Sequence, residues 1–476
     1  MNPIGLGENI TKYFSSLFGD EFIRKYEEYI NSEYYPYIRI SVFENEQKVI
    51  DELKSGSIDC QKVESVPRAY RILSGKELLG KTLEYTLGNY YIQSLSSMIP
   101  ALMLNPSPND IVLDLCAAPG SKTTLLAELM NNRSTLYANE PNKSRIGSLV
   151  FNLDKMALVN IGVLQQKGEL LSKSFDNYFD KILVDAPCSG LGIVQKKNEV
   201  NKWWNENRVD VISDLQTRLL VSAVKMLKSG GEIIYSTCTL TVEENEMVVN
   251  TILKKYPMEI AELQLPVSSI DGFTEYEGNK LNPALSKARR IIPWQVNSEG
   301  FFITRLIKTG ETEPAKQEPS KNSDIKLLSS GHKDIKKHLN EISSFFAIDP
   351  EVLDGYKYFI KGADIYFINS DWHTDNPGIF NRIGIKFANI DKNNRAHLRT
   401  YSVRHLKDHI HKRFLELQNE DELNTYMNGG IIKKNFDMRG QVIIKYKNNI
   451  LGTAISMTEG LKSQFPRASR THEISI

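Results

Sequence analysis

From about Leu78 onward the chain alternates apolar pulses with helical periodicity. The spacing predicts a helix in YIQSLSSMIPALML, a buried strand in IVLDLC, a helix in KTTLLAELM and a strand in LYANE. A helix in SRIGSLVFNLDKMAL, strands in NIGVLQQ and KILVDAPC, and a long helix around VDVISDLQTRLLVSAVKML follow. The series closes with the strand EIIYSTC, after a predicted turn at Lys228-Ser229-Gly230-Gly231. Continuous apolar strands that alternate with helices predict an α/β fold, a doubly wound, Rossmann-like and largely parallel sheet. Ligands of such sheets sit at the carboxyl ends of the strands.

The flanks read differently. Residues 1–77 hold the Tyr-rich stretch IRKYEEYINSEYYPYIRISVF among charged segments and predict a small N-terminal α/β domain. The alternating strand and helix pattern then occupies residues 78–310. ETEPAKQEPSKNS, from Glu311 to Ser323, is polar and holds two Pro, which predicts a linker over 311–325. A small connecting domain over 326–377 and a run of short strands over 378–476 complete the chain.

Hydrophobic residues make up 41% and charged residues 25%, so disordered and collagen-like classes are excluded. The net charge of +1 gives no argument for a partner, but its distribution does. Residues 378–476 carry 17 basic and 9 acidic side chains, an excess of eight positive charges, which suggests a module that binds a polyanion such as nucleic acid. The four cysteines, Cys60, Cys116, Cys188 and Cys238, form no CxxC pair, so a metal site is not expected. All eight His lie at His332 or beyond, and chemistry before that point must proceed without imidazole. The start MNPIGLGENITKYFSSLFGD lacks a signal pattern and no stretch has membrane-spanning length; we expect a reduced, cytoplasmic protein, acting as a monomer with no membrane partner.

The first strand runs into VLDLCAAPGSKTTLLAEL, which places Asp114 to Lys122 in a strand-to-helix turn. A phosphate loop would need Gly before the Lys and another five positions earlier, where Ser121 and Cys116 stand. A dinucleotide turn would need GxGxxG, and only Gly120 is present. What remains is a ribose-bearing cofactor without phosphates, S-adenosylmethionine, with Glu140 at the next strand end to hold ribose hydroxyls. The plain alternative is a turn that needs small residues beside an acidic surface position. Asp185, Pro187 and Cys188 stand at the end of one later strand and Cys238 at the end of the next, so both thiols are expected in one cleft. Thr241 to Glu244 fits a capping box, which would set Cys238 just ahead of a helix N-terminus and favour its thiolate. The plain alternative here is a pair of inert core cysteines.

DLCAAPGSKTT, the DAPCSG turn, STCTLTVEENE and RRIIPWQVNSEGFFITRLIK together resemble the RNA 5-methylcytosine methyltransferases, the NOL/NOP/Sun family. The resemblance runs from about Leu78 to Lys308, and YIQSLSSMIPALML is similar to the family's entry helix. GQVIIKYKNNILGTAIS with GLKSQFPRAS looks like the PUA-like RNA-binding domain of the bacterial RsmF type, which methylates small-subunit ribosomal RNA. This resemblance implies that Cys238 adds to carbon 6 of cytosine, that Asp185 holds ring nitrogen 3 and the exocyclic amine, and that Cys188 assists release. DNA enzymes use the cysteine of the PC motif instead, so Cys238 argues for RNA. It further implies cofactor contacts at Cys116, Ala117, Ala118, Pro119, Gly120, Ser121, Lys122, Glu140 and Asp185, and RNA binding by the N-terminal domain.

Two positions depart from the pattern. Lys167 stands where the family usually has an Asp that reads the adenine amino group; a cation cannot accept that hydrogen bond, so Gln165 or Gln166 would substitute or affinity would fall. After Gly192, Gln195-Lys196-Lys197-Asn198 replaces the usual Arg and Pro while keeping positive charge. Trp203 and Trp204 are candidates for base stacking, with packing the expected role of at least one. A tRNA enzyme and a catalytically decayed ribosome assembly factor stay open as alternatives.

Overall fold

The computed structural model describes residues 4–316 and 325–470; part of the expected linker lies outside them, and residues 311–316 have no regular secondary structure. The main sheet follows the expected plan. Its centre is five parallel strands in the spatial order Leu227–Thr237, Phe179–Asp185, Ile111–Asp114, Thr135–Asn139, Ile161–Leu164. Each is apolar on both faces, with Leu113, Tyr137, Ile182, Val184 and Tyr235 buried on one side and Val112, Leu136, Leu183 and Ile234 on the other. Chain order reverses at Ile111–Asp114, which sets the crevice beside Asp114 and Asp185. Phe301–Lys308 runs antiparallel beside Leu227–Thr237 and carries the sheet on to Arg289–Ile291 and Ile270–Asp271, with Met258–Ala261 also paired to it.

The expected turn at Lys228–Gly231 is a bulge inside a strand. Phe179 pairs with Leu227 and Lys181 with Glu232, so four residues oppose one, and Gly230 takes a φ of +81° to absorb them. A Cβ on Gly231 would come within 2.8 Å of the Asp180 carbonyl oxygen, which is why the bulge reads as a glycine turn.

Sheet membership crosses the expected domain limits at three places, one of them the expected limit at 377/378, across which Asp364–Asn369 pairs with Ile385–Ile390. The four-stranded N-terminal sheet takes Tyr90–Ile92 as its edge strand, paired with Tyr37–Ile40, beyond residue 77. Buried Arg39 of this sheet is ion-paired to buried Glu128 on the Ser121–Leu129 helix and donates to Thr124 Oγ1 at 3.0 Å, locking it to the unit built on the main sheet. Removing one partner of such a pair costs about 3 to 5 kcal/mol. At the other end, Phe380–Ile383 pairs antiparallel with Ile161–Leu164 and extends the main sheet by one strand. Fully buried Trp372 and Phe380 close over Gly162, where a Cβ would meet both rings at 2.6 Å. Beyond lie a four-stranded sheet over Tyr356–Leu398 and a five-stranded sheet over Phe414–Ser463.

The two N-terminal helices, Glu8–Phe18 and Asp20–Ile30, lie apart from their own sheet. Their aromatic faces pack on Leu191, Val194, Trp204 and Leu240 of the loops that follow the central strands.

Candidate active site

Asp185 ends the Phe179–Asp185 strand, and both its oxygens are engaged. Ser236 Oγ donates to Oδ1 at 2.8 Å and Lys122 Nζ donates to Oδ2 at 2.7 Å. Lys122 Nζ also donates to Ser97 Oγ at 2.8 Å and stands 5.2 Å from the Phe301 ring centre. Burial pushes the Lys122 ammonium down, but the Asp185 carboxylate together with Cys238 and Asp114 raises it on balance, so it is held charged.

Three residues beyond Asp185, Cys188 Sγ lies 2.9 Å from Cys238 Sγ. The hydrogen bond to Cys238 and burial raise the Cys188 thiol well above its ordinary range, so it stays protonated at neutral pH. The capping box expected at Thr241–Glu244 does not form. Thr241 Oγ1 donates to Glu244 Oε2, and the helix begins only at Glu246 with Asn245 ahead of it, eight residues beyond Cys238. The helix dipole therefore does not favour a Cys238 thiolate, since that field fades within one turn. Glu244 has a different task. Its Oε1 accepts from the Ser189 backbone N–H at 2.8 Å and from Gln216 Nε2 at 3.0 Å, and Gln216 also donates to the Pro187 carbonyl at 2.8 Å. Ser189 Oγ bonds Thr239 Oγ1 at 2.9 Å, and Trp204 Nε1 donates to Ser189 Oγ. This buried network ties the two thiol-bearing loops together. Arg290, fully buried, adds to it through its ion pair with Glu246 and a bond to the Leu240 carbonyl at 2.9 Å.

Two cavities meet at these groups. One of about 360 Å³ is lined by Cys116, Ala118, Glu140, Gly168, Glu169 and Pro187. The other, about 300 Å³, is lined by Tyr91, Ala117, Pro119, Ser121, Lys122 and Lys196. Cys116, Ala118, Asp185, Lys197 and Cys238 face both.

The turn after Asp114 is built as its sequence requires: Gly120 takes a φ of +108° immediately before the Ser121–Leu129 helix. Glu140 is buried, its Oε1 accepting from the Asn142 N–H at 2.8 Å and its Oε2 paired with Arg145 Nη1 at 3.2 Å. Arg145 Nη2 also donates to the Ala118 carbonyl at 2.5 Å, so one guanidinium spans the Glu140 carboxylate and the small-residue turn. Burial holds the Cys116 thiol well above its ordinary range, as a neutral cavity wall.

Most sequence-derived site residues thus converge. Lys122 does so on the side away from Glu140, against Asp185. Lys167 does not converge: it is exposed, and the cavity wall is made by the next two residues, Gly168 and Glu169. Trp204 is buried core, while Trp203 lines the Glu140 cavity with Arg208 stacked 4.2 Å from its ring centre. Glu169, Ser97 and Ser236 are absent from the residues the sequence singles out, and Glu244 is expected only in a helix cap; Glu169 alone stands beside a candidate of its own kind of site, two residues from Lys167.

A phosphate-free nucleoside cofactor suits the larger cavity: it has a buried carboxylate for ribose hydroxyls and small residues at Ala118 and Gly168, and of its two cations, Arg145 and Lys197, the first is already paired with Glu140. Among the described residues no cluster of His, Cys, Asp and Glu is suited to a metal ion, and no helix is long and apolar enough to cross a membrane.

Comparisons with known proteins agree with this geometry. The family described as 16S rRNA methyltransferase RsmB/F matches residues 101–307. Ribosomal RNA small subunit methyltransferase F of Shewanella piezotolerans is 30% identical over 82% of this chain and 81% of its own. The tRNA (cytosine(49)-C(5))-methyltransferase of Pyrococcus abyssi is 34% identical over 57% of this chain and 88% of its own. A crystal structure of a methyltransferase homologue from Pyrococcus horikoshii, 28% identical, superposes with a TM-score of 0.57 over 64% of this chain and 96% of that one. The chain belongs to the RsmB/F-type, NOL/NOP/Sun family of RNA (cytosine-C5)-methyltransferases, which draw their methyl group from S-adenosylmethionine.

Proposed function

We propose that this protein methylates carbon 5 of a cytosine in small-subunit ribosomal RNA through a transient bond between Cys238 Sγ and carbon 6 of the ring. The meeting of two cavities at Cys238 and Asp185, with a second thiol 2.9 Å from the first, is the observation that carries the reading. Carbon 5 of cytosine is too electron-poor to be methylated directly. Addition of the Cys238 thiolate to carbon 6 converts it to a nucleophile. Asp185, fixed by Ser236 and Lys122, accepts from the exocyclic amine and from the proton carried on ring nitrogen 3 as charge develops there. Uracil, with a carbonyl in place of the amine, would set two acceptors against each other. S-adenosylmethionine, when bound beside Glu140 and Glu169, supplies the methyl group. Carbon 5 then gives its proton to a water in the cleft, the electron pair left behind re-forms the carbon 5–carbon 6 double bond, and the Sγ–carbon 6 bond breaks to release Cys238 as a thiolate, to which the protonated Cys188 thiol donates a hydrogen bond.

The ribosomal substrate is supported by the Shewanella relative, whose match extends into the basic C-terminal third. That third acts in this reading as a PUA-like RNA-binding module, the N-terminal domain contributes further RNA contacts, and the protein works as a cytoplasmic monomer. A transfer RNA substrate has one observation in its favour, the higher identity to the Pyrococcus abyssi enzyme, but that match leaves 43% of this chain unaccounted for. Bisulfite sequencing of RNA from a deletion strain decides between them. Loss of one methylated cytosine in small-subunit ribosomal RNA is expected, and loss confined to transfer RNA sinks the ribosomal assignment.

A further inference from the structure

The C-terminal third meets the N-terminal sheet across a polar cleft of about 320 Å³. Glu44 and Lys48 line it from the N-terminal unit, and Arg404, Lys407, Asp408 and Lys445 from the C-terminal third, so four cations face two carboxylates. Three of the cations are occupied. Lys407 Nζ is held by Glu44 Oε1 at 2.6 Å, Lys48 Nζ donates to Asn449 Oδ1 at 2.9 Å, and Lys445 Nζ lies 3.8 Å from the Phe414 ring centre. Arg404 is not. Its half-buried guanidinium has no hydrogen-bond or ion-pair partner among the described residues. Burial pushes it down to about 10, a sign that the charge is poorly solvated where it stands. Five unfilled donors in a partly dehydrated cleft disfavour the empty state, and an anion would fill them.

We propose that this cleft binds a backbone phosphate of the substrate RNA, with Arg404 as its principal ligand. The proposal rests on the reading that RNA is the substrate and adds the place where its backbone is anchored. Position argues for RNA over a free anion. Asn89 lines the cleft and Tyr91, two residues along the same segment, lines the cavity that holds Lys122 and Cys238. The two hollows thus border one segment of chain, and an RNA with its target cytosine in the cavity would reach the cleft with a phosphate of a flanking nucleotide.

The experiment compares the whole protein with Arg404→Met and Arg404→Lys for substrate RNA binding over a range of salt, together with methyl transfer kinetics. Loss of one phosphate contact should flatten the log affinity against log salt line by about 0.7 to 0.9. KM for RNA should rise about tenfold with kcat unchanged, and Arg404→Lys should keep most of the slope. A slope and KM in Arg404→Met equal to those of the parent would overturn the proposal. So would a free-anion site, seen if inorganic phosphate raises the melting temperature of the parent but not of Arg404→Met while the RNA slope is unaltered. If the parent bound RNA with an Arg404-dependent slope yet transferred no methyl group to it, the cleft would stand and the proposed activity would fall.

Discussion

Cys188 Sγ and Cys238 Sγ stand 2.9 Å apart although fifty residues separate them in sequence. The pairing is imposed by Glu244, which accepts from the backbone of the Cys188 loop while Ser189 and Thr239 join the two loops directly. Two thiols so placed can lose two hydrogens to a mild oxidant such as hydrogen peroxide, which is reduced to water as a disulfide closes. Peroxide should therefore abolish methyl transfer, and a thiol reductant should restore it. Mass spectrometry should find the two cysteines in one cross-linked peptide. Inactivation that no reductant reverses would contradict the geometry.

Lys122 bridges Asp185 and Ser97 from a buried position on the base side of the site. Lys122→Met should leave Asp185 with Ser236 alone and lower kcat roughly a hundredfold, about 3 kcal/mol. Affinity for S-adenosylmethionine should stay within about threefold, because the side chain faces away from Glu140. Calorimetry alongside steady-state kinetics separates the two effects. A cofactor affinity that collapsed with kcat would return Lys122 to the cofactor side.

Glu169 lines the cavity proposed for the cofactor together with Glu140, and its side chain makes no hydrogen bond or ion pair among the described residues, whereas Lys167 is exposed. Glu169→Gln should weaken S-adenosylmethionine binding about tenfold, the value of one charge-assisted hydrogen bond. Lys167→Ala should change it less than twofold. The reverse order, measured by calorimetry, would assign the adenine end of the site to Lys167.

The parallel sheet and the convergence of Cys188, Cys238 and Asp185 were legible because buried parallel strands leave unbroken apolar runs, and strand ends in such sheets must face one crevice. Lys167 and Glu169 show where that logic ends. The strand end fixes the neighbourhood, but a short helical turn after it decides which side chain faces inward. Phe380–Ile383 was illegible as a sheet member because its partner, Ile161–Leu164, lies more than two hundred residues earlier and four edge residues carry little pattern. The Thr241–Glu244 spacing misled for a physical reason: the carboxylate that could have capped a helix is taken by Ser189 and Gln216 across the cleft. Ser97 and Ser236 gave no signal, since a hydroxyl that orients a lysine or a carboxylate looks like any other serine.

Asp114 is buried, with Oδ2 accepting from Thr123 at 2.7 Å and Oδ1 unpartnered, and burial raises its carboxyl to about 7. A raised carboxyl binds its proton more tightly folded than unfolded, so its contribution to stability is complete below about pH 4 and is lost as pH rises through 7. Asp114→Asn removes that loss. The stability of the variant relative to the parent should climb by about 4 kcal/mol between pH 4 and 7 and then level off. Denaturant unfolding across that range tests it, and a difference independent of pH would show that Asp114 is ionised throughout.

In the proposed reaction Cys238 carries the covalent bond and Cys188 helps to release it. Denaturing electrophoresis of Cys188→Ala incubated with substrate RNA and S-adenosylmethionine separates these two roles. The account predicts a band in which protein and methylated RNA comigrate through Cys238, absent from Cys238→Ala and from the double variant. An adduct that persisted in Cys238→Ala would place the bond on Cys188 and contradict the account.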